Sequence, residues 1–403
     1  MTAEWLRCRW GDLATLEYGR ALRATERSFG AYQVFGTNGP IGWHSTPLFD
    51  HPGVVIGRKG AYRGIHYAQR PPWVIDTAFF LRLKDRAAVD SKFAYYQLKT
   101  VDLNSIDSGS AIPSTSRDAF NQIHVLLPPV QAQRKIASAL TAYDDVIENN
   151  NRRIKILDEM EQRIYREWFA AFRYPGHESV PLVESELGLI PEGWATSRVG
   201  DIARVIRGRS YRGTEVGDIG GVPFVNLKCI ARDGGFRRDG VKRFLGEFRP
   251  AHTACAGDIV MAVTDMTQER RIVARVARVP NLGEPIGVVS MDLVRIEPIG
   301  VEAEFLLGLL RYSGFADAVK QHANGANVLH LHPDRITQFQ AVIPPGALGS
   351  KFAQVVGPLN LLGDALESAN ASLRTARDIL LPRLISGQIN VENLDIEVPE
   401  EAA

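Results

Sequence analysis

One pattern occurs twice in this chain of 403 residues. The stretch from Trp5 to Arg20 shares a Trp, a Gly-Asp pair and a Gly-Arg pair with the stretch from Trp194 to Arg209, always 189 residues apart. A second match relates residues 109–129 to residues 325–345, which are 216 residues apart. This repeat is far longer than a solenoid unit, so it predicts a tandem duplication of a whole domain. Two similar surfaces suit a partner with two parts, such as DNA with two half-sites.

The sequence pattern of both copies is typical of a strand-rich domain. Residues 53–57 and 73–81 in the first copy, and 222–227, 257–263 and 288–296 in the second, are apolar or β-branched runs bounded by turn residues. A short helix is expected near residues 91–99. We therefore expect two similar mixed domains.

Each copy is followed by a segment with helical periodicity. Residues 131–169 contain no Gly and no Pro, and apolar side chains recur with a heptad rhythm in which Asn150 and Glu161 occupy two of the positions. A helix of this length would span roughly 58 Å at ~1.5 Å per residue. That exceeds one domain, which favours a partner helix over the alternative of packing on its own domain. A second such segment follows residue 345, where Gly357 and Pro358 suggest a helix that begins only after Pro358.

Charge has to be considered locally, because the whole chain carries a net charge of only +1. Residues 198–243 hold eleven Lys and Arg against five Asp and Glu, and the first copy has a weaker basic cluster around residues 20–27 and 58–63. Arg and Lys on Gly-flanked loops suit phosphates and guanine edges. We expect the basic turn with Arg207, Arg209 and Arg212 to match the turn with Arg58 and Lys59. A solvated face explains either cluster equally well, but its recurrence in both copies favours DNA.

Catalytic signatures are missing from the sequence. We find no phosphate-binding loop of ATPases, no dinucleotide-binding glycine motif, no catalytic tetrapeptide of amino-methyltransferases, no nucleophile elbow and no zinc-protease motif. His330 and His332 are more simply exposed or contact residues than metal ligands. Three dispersed cysteines, no signal core and no long apolar run predict a cytoplasmic protein without membrane contact. The acidic tail from Glu392 to Glu401 is expected to be frayed.

Four motifs in a fixed order resemble the specificity subunit of type I restriction-modification systems. Residues 127–140 (LPPVQAQRKIASAL) are similar to the entry of that family's central helix, and residues 187–194 (LGLIPEGW) to its lead-in to a second recognition domain. Residues 373–387 are similar to its closing helix, and residues 35–39 and 57–60 to turns of its first recognition domain. One departure is that Gly349 stands where the first copy has Gln133.

The resemblance implies an α+β fold with two similar strand-rich target-recognition domains, separated by two long helices packed as an antiparallel coiled coil. The implied boundaries are 1–129 for the first recognition domain, 130–172 for the central helical spacer, 173–345 for the linker and second recognition domain, 346–390 for the C-terminal spacer and 391–403 for the tail. The coiled-coil positions are Ile136, Leu140, Ile147, Ile154, Leu157, Ile164, Trp168, Leu366, Leu373 and Leu380.

The same resemblance implies a non-catalytic DNA reader of a bipartite double-stranded target. It would hold no cofactor itself and would dock two methyltransferase subunits that carry S-adenosylmethionine, and two translocase-nuclease restriction subunits using ATP and Mg can join. Candidate DNA contacts are Arg20, Arg23, Asn38, Arg58, Lys59, Arg63, Arg207, Arg209, Arg212, Lys228, Arg237 and Arg238. The alternatives are a coiled-coil protein-interaction scaffold without DNA specificity, and the recognition part of a fused restriction-methylation enzyme.

Overall fold

The computed structural model describes residues 5–27, 29–106 and 113–398. They form two compact units, which are considered separately: unit 1 is Met1–Asn149 with Ala369–Ala403, and unit 2 is Asn150–Ser368. The first residues of the second sequence match, from Gly109, and the last residues of the acidic tail lie outside the described residues.

Unit 1 is a strand-rich domain with short helices. Its elements are β1 (Leu6–Arg9), α1 (Trp10–Leu13), β2 (Ala14–Tyr18), β3 (Tyr32–Gly36), β4 (Gly39–His44), β5 (Gly53–Gly57), β6 (Ile65–Ala68), β7 (Trp73–Val74), β8 (Ala78–Leu83), α2 (Ser91–Lys99), α3 (Arg117–Asn121), β9 (His124–Leu127) and the first part of α4 (Val130–Tyr165). Sheets form in the orders β2-β8-β5-β6, β4-β3-β7 and β1-β9. The core between the first sheet and the helices includes Phe79, Phe93 and Phe120.

Unit 2 begins inside α4, at Asn150, and α4 is followed by a π-helical turn over Arg166–Ala170. Its further elements are β10 (Leu182–Ser185), β11 (Gly188–Pro191), β12 (Ala195–Arg198), α5 (Val199–Ile202), β13 (Ala203–Arg207), β14 (Val216–Gly217), β15 (Val222–Val225), β16 (Lys242–Phe244), β17 (Thr253–Ala254), β18 (Ile259–Ala262), β19 (Thr264–Asp265), β20 (Val276–Arg278), β21 (Gly287–Val289), β22 (Leu293–Pro298), α6 (Ala303–Tyr312), α7 (Phe315–Val319), β23 (Leu329–His330), α8 (Pro333–Thr337), β24 (Gln340–Ile343) and α9 (Gly346–Ile385). The last part of α9 belongs to unit 1.

The two units share one sheet plan. The order β13-β22-β18-β20 in unit 2 reproduces β2-β8-β5-β6 in unit 1, and β12-β24 reproduces β1-β9. Single hydrogen bonds also match: Gly19 N donates to Ala78 O at 3.3 Å, and Gly208 N donates to Leu293 O at 3.2 Å. The α+β fold with two similar strand-rich domains is therefore confirmed.

A close backbone approach explains the shared glycines Gly19 and Gly208. A Cβ atom on Gly19 would lie 2.2 Å from Ile75 O, and one on Gly208 would lie 2.0 Å from Ser290 O. No side chain fits at either position without moving the neighbouring strand, so the sequence match at these positions reflects the same steric constraint in both units.

The helix α4 begins where Pro128-Pro129 ends the preceding strand, and Gln133 fixes that start. Its amide donates to Ala88 O at 2.9 Å and to Pro128 O at 2.8 Å, and its oxygen accepts from Asp90 N at 2.9 Å. At the corresponding place in α9, Gly349 cannot make these bonds. Ser350 Oγ instead donates to Glu302 Oε1 at 2.7 Å.

The prediction that the second helix begins only after Pro358 is wrong. The helix α9 runs from Gly346 through Gly357 and Pro358 without interruption. A proline inside a helix removes one hydrogen bond and costs about 3 kcal/mol. The turns before it are held by Phe352 and Val356, which are completely buried in the core of unit 2, and this packing outweighs the local cost.

The two long helices run antiparallel. In unit 1 the start of α4 lies beside the end of α9, where Arg377 forms an ion pair with Asp144. In unit 2 the end of α4 lies beside the start of α9, where the rings of Trp168 and Phe352 are 5.9 Å apart. Ile136, Leu140, Ile147 and Leu366 are buried, and Ile154, Leu157, Ile164, Trp168, Leu373 and Leu380 are half-buried.

The two polar heptad positions are also buried: Asn150 is 7% exposed and Glu161 is 2% exposed. The repeat separation of 216 residues maps Asp144 onto Asn360 and Glu161 onto Arg377. Unit 1 thus has the ion pair of Asp144 and Arg377 where unit 2 has the amide of Asn360 and the carboxyl of Glu161. In unit 2, Glu161 Oε1 and Asn360 Nδ2 are buried without a hydrogen-bond partner and line the same cavity of about 310 Å³.

Residues 391–398 of the acidic tail pack on unit 1, so the expectation of a frayed tail is wrong for these residues. Lys135 Nζ donates to the backbone oxygens of Glu392 and Leu394, both at 2.9 Å, and Ser138 Oγ donates to Glu397 O at 2.6 Å. Val391 is 2% exposed and belongs to the core of unit 1. The alternation of apolar with acidic residues in this segment allows it to pack against α4.

Candidate nucleic-acid interface

The twelve predicted DNA contacts differ in their accessibility. Exposed side chains are those of Arg20, Arg23, Asn38, Lys59, Arg207, Arg212, Lys228 and Arg237. Arg58, Arg209 and Arg238 are half-buried. Arg63 is only 5% exposed, and its guanidinium donates to Leu103 O at 3.1 Å and Asn104 O at 3.0 Å. The prediction of Arg63 as a DNA contact is therefore wrong, because its charge is used to hold a loop of unit 1.

In unit 1, two arginine side chains pack against the ring of one tyrosine. Tyr18 is 52% exposed at the end of β2, and the guanidinium carbons of Arg58 and Arg117 lie 4.8 Å and 5.3 Å from the centre of its ring. Arg58 Nη1 also donates to Asp76 O at 2.9 Å, which fixes that arginine in place. Such cation–π contacts hold guanidinium groups at a surface while leaving their edges available. We call Tyr18, Arg58, Lys59 and Arg117 the Tyr18 cluster.

Lys59 and Arg117 are the accessible cations of the Tyr18 cluster. The backbone of Lys59 pairs with Ser114, and its side chain is exposed. Arg117 opens α3, whose first turn is capped by Ser116 Oγ accepting from Ala119 N at 3.2 Å. The sequence reasoning missed Arg117, because a lone arginine after a Ser-Thr-Ser run carries no signal of charge clustering.

The basic segment of unit 2 is largely neutralised. Six of its eleven cationic side chains lie within 4.0 Å of a carboxylate, and they are Arg204, Arg209, Arg237, Arg238, Lys242 and Arg243. Arg238 is bonded to Glu367 at 3.0 Å and to Asn281 O at 2.6 Å, so it attaches its loop to α9. These bonds hold Arg238 in place, and its contact with DNA stays a prediction.

Two of the remaining predicted residues of unit 2, Arg209 and Arg212, match positions in unit 1. Arg20 N donates to Val74 O at 2.9 Å, and Arg209 N donates to Val289 O at 2.7 Å. One turn later, Glu26 accepts from Arg23 N at 3.0 Å, and Glu215 accepts from Arg212 N at 2.7 Å. Arg20 and Arg23 are thus the counterparts of Arg209 and Arg212 at the same place of each fold.

This correspondence corrects one expectation from the sequence. We expected the basic turn with Arg207, Arg209 and Arg212 to match the turn with Arg58 and Lys59. The backbone hydrogen bonds instead pair the region of Arg209 with that of Arg20, and the position of Arg207 with that of Tyr18.

Unit 2 also contains a basic groove that the sequence did not predict. It has a volume of about 420 Å³, and its lining residues are Arg232, Asp233, Glu269, Arg270, Arg271, Arg275 and Lys320. Five cations face two carboxylates, and Asp317 also pairs with Arg275 and Lys320. An anion such as a phosphate suits the remaining excess of two positive charges. The cations come from three separate parts of the sequence, which is why a count along the chain misses them.

The described residues show no group of His, Cys, Asp and Glu side chains that could hold a metal ion. His330 lies in β23, and His332 Nδ1 accepts from Asp334 N at 3.3 Å at the start of α8. Within the same part of the chain, no helix combines the length and apolar character required to cross a bilayer.

Comparisons with known proteins show what the chain is similar to. Residues 3–159 match the model of the type I restriction modification DNA specificity domain. The MjaIX specificity subunit of a type I restriction enzyme from Methanocaldococcus jannaschii is 24% identical over 328 residues, covering 78% of this chain and 73% of the relative. The chain is thus similar to type I restriction-modification specificity subunits over most of its length.

Further similarities extend over nearly the whole chain. The MjaVIII specificity subunit from the same organism is 22% identical over 320 residues, covering 76% of this chain and 72% of the relative. The crystal structure of a type I restriction-modification S subunit from M. genitalium superposes with a TM-score of 0.62 at 16% identity, covering 95% of this chain and 96% of that chain. This last similarity concerns the fold, and it agrees with the duplicated plan of the two units.

Proposed function

We propose that the chain reads a bipartite target in duplex DNA, with one half-site for each unit. The observation that supports this most strongly is that the two units share a backbone frame but present different side chains on it. Tyr18 lies where unit 2 has Arg207, and Arg58 lies where unit 2 has Val263. Two equal frames with unequal surfaces suit a target whose halves differ in sequence.

The proposal includes partners that supply the chemistry. As a specificity subunit, the chain would dock two methyltransferase subunits, which bring S-adenosylmethionine and methylate adenine, and restriction subunits using ATP and Mg would join for cleavage. The long antiparallel helices would set the distance between the two half-sites. Mapping methylated adenines in cells that express the chain with its methyltransferase tests this function. A motif of two short parts with a fixed gap is expected, and a methylome without such a motif would contradict the proposal.

The purified chain alone is expected to have no methyltransferase, nuclease or ATPase activity, because its sequence carries no motif for these reactions. The measurement is turnover of labelled S-adenosylmethionine, plasmid DNA and ATP by the chain before and after addition of the methyltransferase subunit. Turnover by the pure chain without a partner would contradict this division of labour.

Replacing Lys59 and Arg117 together by Gln is expected to weaken binding of the assembled methyltransferase through one half-site only. If each cation contacts one phosphate, the salt dependence of the association constant falls by about one unit for each. The measurement is a salt series on duplexes altered in one half-site at a time. Arg58 is left in place because its bond to Asp76 O makes it part of the fold.

The matched control for this experiment is Arg86→Gln, which removes a positive charge from an exposed position of unit 1 outside the Tyr18 cluster. This variant should retain the affinity and salt dependence of the unmodified chain. An unchanged salt dependence in the Lys59 and Arg117 variant would remove both residues from the DNA surface. An equal loss at both half-sites would argue against one half-site for each unit.

A further inference from the structure

The chain after β18 in unit 2 takes the place of the turn after β5 in unit 1. Thr115 N donates to Arg58 O at 2.9 Å, and Leu331 N donates to Val263 O at 2.8 Å in the matching position. The connections then differ in length. Seven residues join β5 to β6, whereas thirteen join β18 to β20 and include the short strand β19. Unit 2 therefore carries a longer loop where unit 1 has part of its Tyr18 cluster.

One buried carboxylate closes this longer loop. Asp265 is 1% exposed, and its Oδ1 accepts from Thr267 N and Thr267 Oγ1, both at 2.9 Å. Its Oδ2 accepts from Ile272 N at 2.7 Å and from Val273 N at 3.2 Å. One oxygen thus holds the start of the loop and the other holds its end.

Asp265 acts on this loop as a charged acceptor. Burial raises the pKa of Asp265, but the hydrogen bonds from the backbones of Ile272, Thr267 and Val273 outweigh burial and hold this pKa below its usual value. Hydrogen bonds to an ionised acceptor are roughly twice as strong as neutral ones. They offset backbone strain in the segment that they close, since Arg270 has a φ of +51° and Ala274 a φ of +64°. Left-handed conformations at such residues cost about 1–2 kcal/mol each.

The loop presents side chains that suit contacts with the base edges and the backbone of DNA. Met266 is 68% exposed, and the side chain of Arg271 is 52% exposed and forms an ion pair with Glu269 of the same loop. Arg270 and Arg271 also line the basic groove described above. Exposed methionine offers an apolar contact to a thymine methyl group, and arginine suits guanine or phosphate. Gln268 Nε2 donates to Ala326 O at 3.1 Å, which attaches the loop to the rest of unit 2.

We propose that the loop from Met266 to Arg271 reads one half of the DNA target, and that Asp265 is the positioning residue that gives the loop its shape. This proposal rests on the proposed function in DNA recognition. In this proposal unit 2 contacts its half-site with the long loop that Asp265 closes. Unit 1 has the short turn with Lys59 at the same place of the fold. The two half-sites are then read by different structural means on one shared frame.

The test uses the assembled methyltransferase and duplexes carrying the site found in the methylome of cells with the unmodified chain. Asp265→Asn keeps the size of the side chain but places an amide where Ile272 N or Val273 N requires an acceptor. We expect discrimination against single base changes in one half-site to fall about tenfold, because the loop loses its shape. Discrimination in the other half-site and the salt dependence should not change. A purely structural role would lower thermal stability without this difference between half-sites.

Two further variants complete the test. Asp218→Asn is the matched control, because it removes the same charge from an exposed side chain of unit 2 that is bonded to Lys242, and it should retain full discrimination. Arg271→Gln changes an exposed loop residue and should lower discrimination in the half-site that Asp265→Asn affects. This variant keeps the proposal testable if Asp265→Asn does not fold.

The possible outcomes separate this proposal from the proposed function. A folded Asp265→Asn variant with unchanged discrimination, or with an equal loss at both half-sites, would overturn the role of Asp265. An Arg271→Gln variant indistinguishable from the unmodified chain would overturn reading by the loop. Failure of the unmodified complex to discriminate any bipartite site would instead contradict the proposed function itself.

Discussion

Insertion of one heptad into each long helix is expected to lengthen the gap between the two half-sites by about three base pairs. Seven residues add roughly 10.5 Å to a helix at ~1.5 Å per residue, and base pairs of DNA rise ~3.4 Å each. The insertion points are after Asn149 in α4 and after Ser368 in α9, where the two units divide. A heptad keeps Ile147 and Ile154 in phase with the partner helix. Methylome sequencing measures the gap and both half-sites.

The control for this variant is the same heptad placed in α4 alone. It shifts the antiparallel register and is expected to abolish methylation, because the apolar positions of the two helices no longer face each other. The double insertion should leave both half-sites unchanged in sequence. An unchanged gap in a double-insertion variant that folds and methylates would contradict the role of the helices in spacing.

Replacing Glu161 by Gln is expected to raise the free energy of unfolding by about 3 kcal/mol at pH 8, and by about 1 kcal/mol or less at pH 5. Burial raises the pKa of Glu161 to about 7 from its ordinary 4.5, while Arg311 and Arg278 oppose this shift and Asp158 and Glu304 add to it. The folded chain therefore holds the extra proton between pH 4.5 and 7, and its stability falls as the pH rises through that window. Gln cannot ionise, so the variant does not lose stability as the pH rises through this window.

The surroundings explain why Glu161 is not compensated by its neighbours. Arg311 is bonded to Asp158 at 2.8 Å, and Arg278 is bonded to Asp364 at 2.7 Å, so both nearby cations have carboxylates of their own. Urea unfolding of both chains at the two pH values measures the effect. Glu159→Gln, on the exposed side of the same helix, is the control and should change stability by less than about 0.5 kcal/mol. Equal stability of the Glu161 variant and the unmodified chain at pH 8 would contradict the prediction.

The sequence predicts the parts of this fold that depend on local constraints. Gly19 and Gly208 recur because a strand passes too close for a side chain, and α4 starts after Pro128-Pro129 because proline cannot continue the preceding strand ladder. The heptad positions of the helices follow from periodicity alone. These features require no knowledge of distant contacts, so a pattern of residue types is sufficient to find them.

The errors arise where distant residues decide the outcome. Arg63 is predicted to face DNA because of its charged neighbours, yet its partners Leu103 and Asn104 lie 40 and 41 residues away. Val263 occupies the place of Arg58 without any similarity in side chain, so only backbone hydrogen bonds relate the two loops. Pro358 is expected to delay a helix, because the packing of Phe352 that stabilises the preceding turns is not visible in the sequence. The loop closed by Asp265 was missed for the same reason.

The division of the chain into units also determines the order in which they can fold during synthesis. Unit 2 is continuous, so its residues have all been made by residue 368, whereas unit 1 needs residues 369–398 to cover the apolar side of α4. Until then, Ile136 and Leu140 lie without Leu384 and Ile385, which share their core. A chain that ends between residues 368 and 398 therefore has every residue of unit 2 but leaves the apolar side of α4 in unit 1 uncovered, and such a surface favours aggregation.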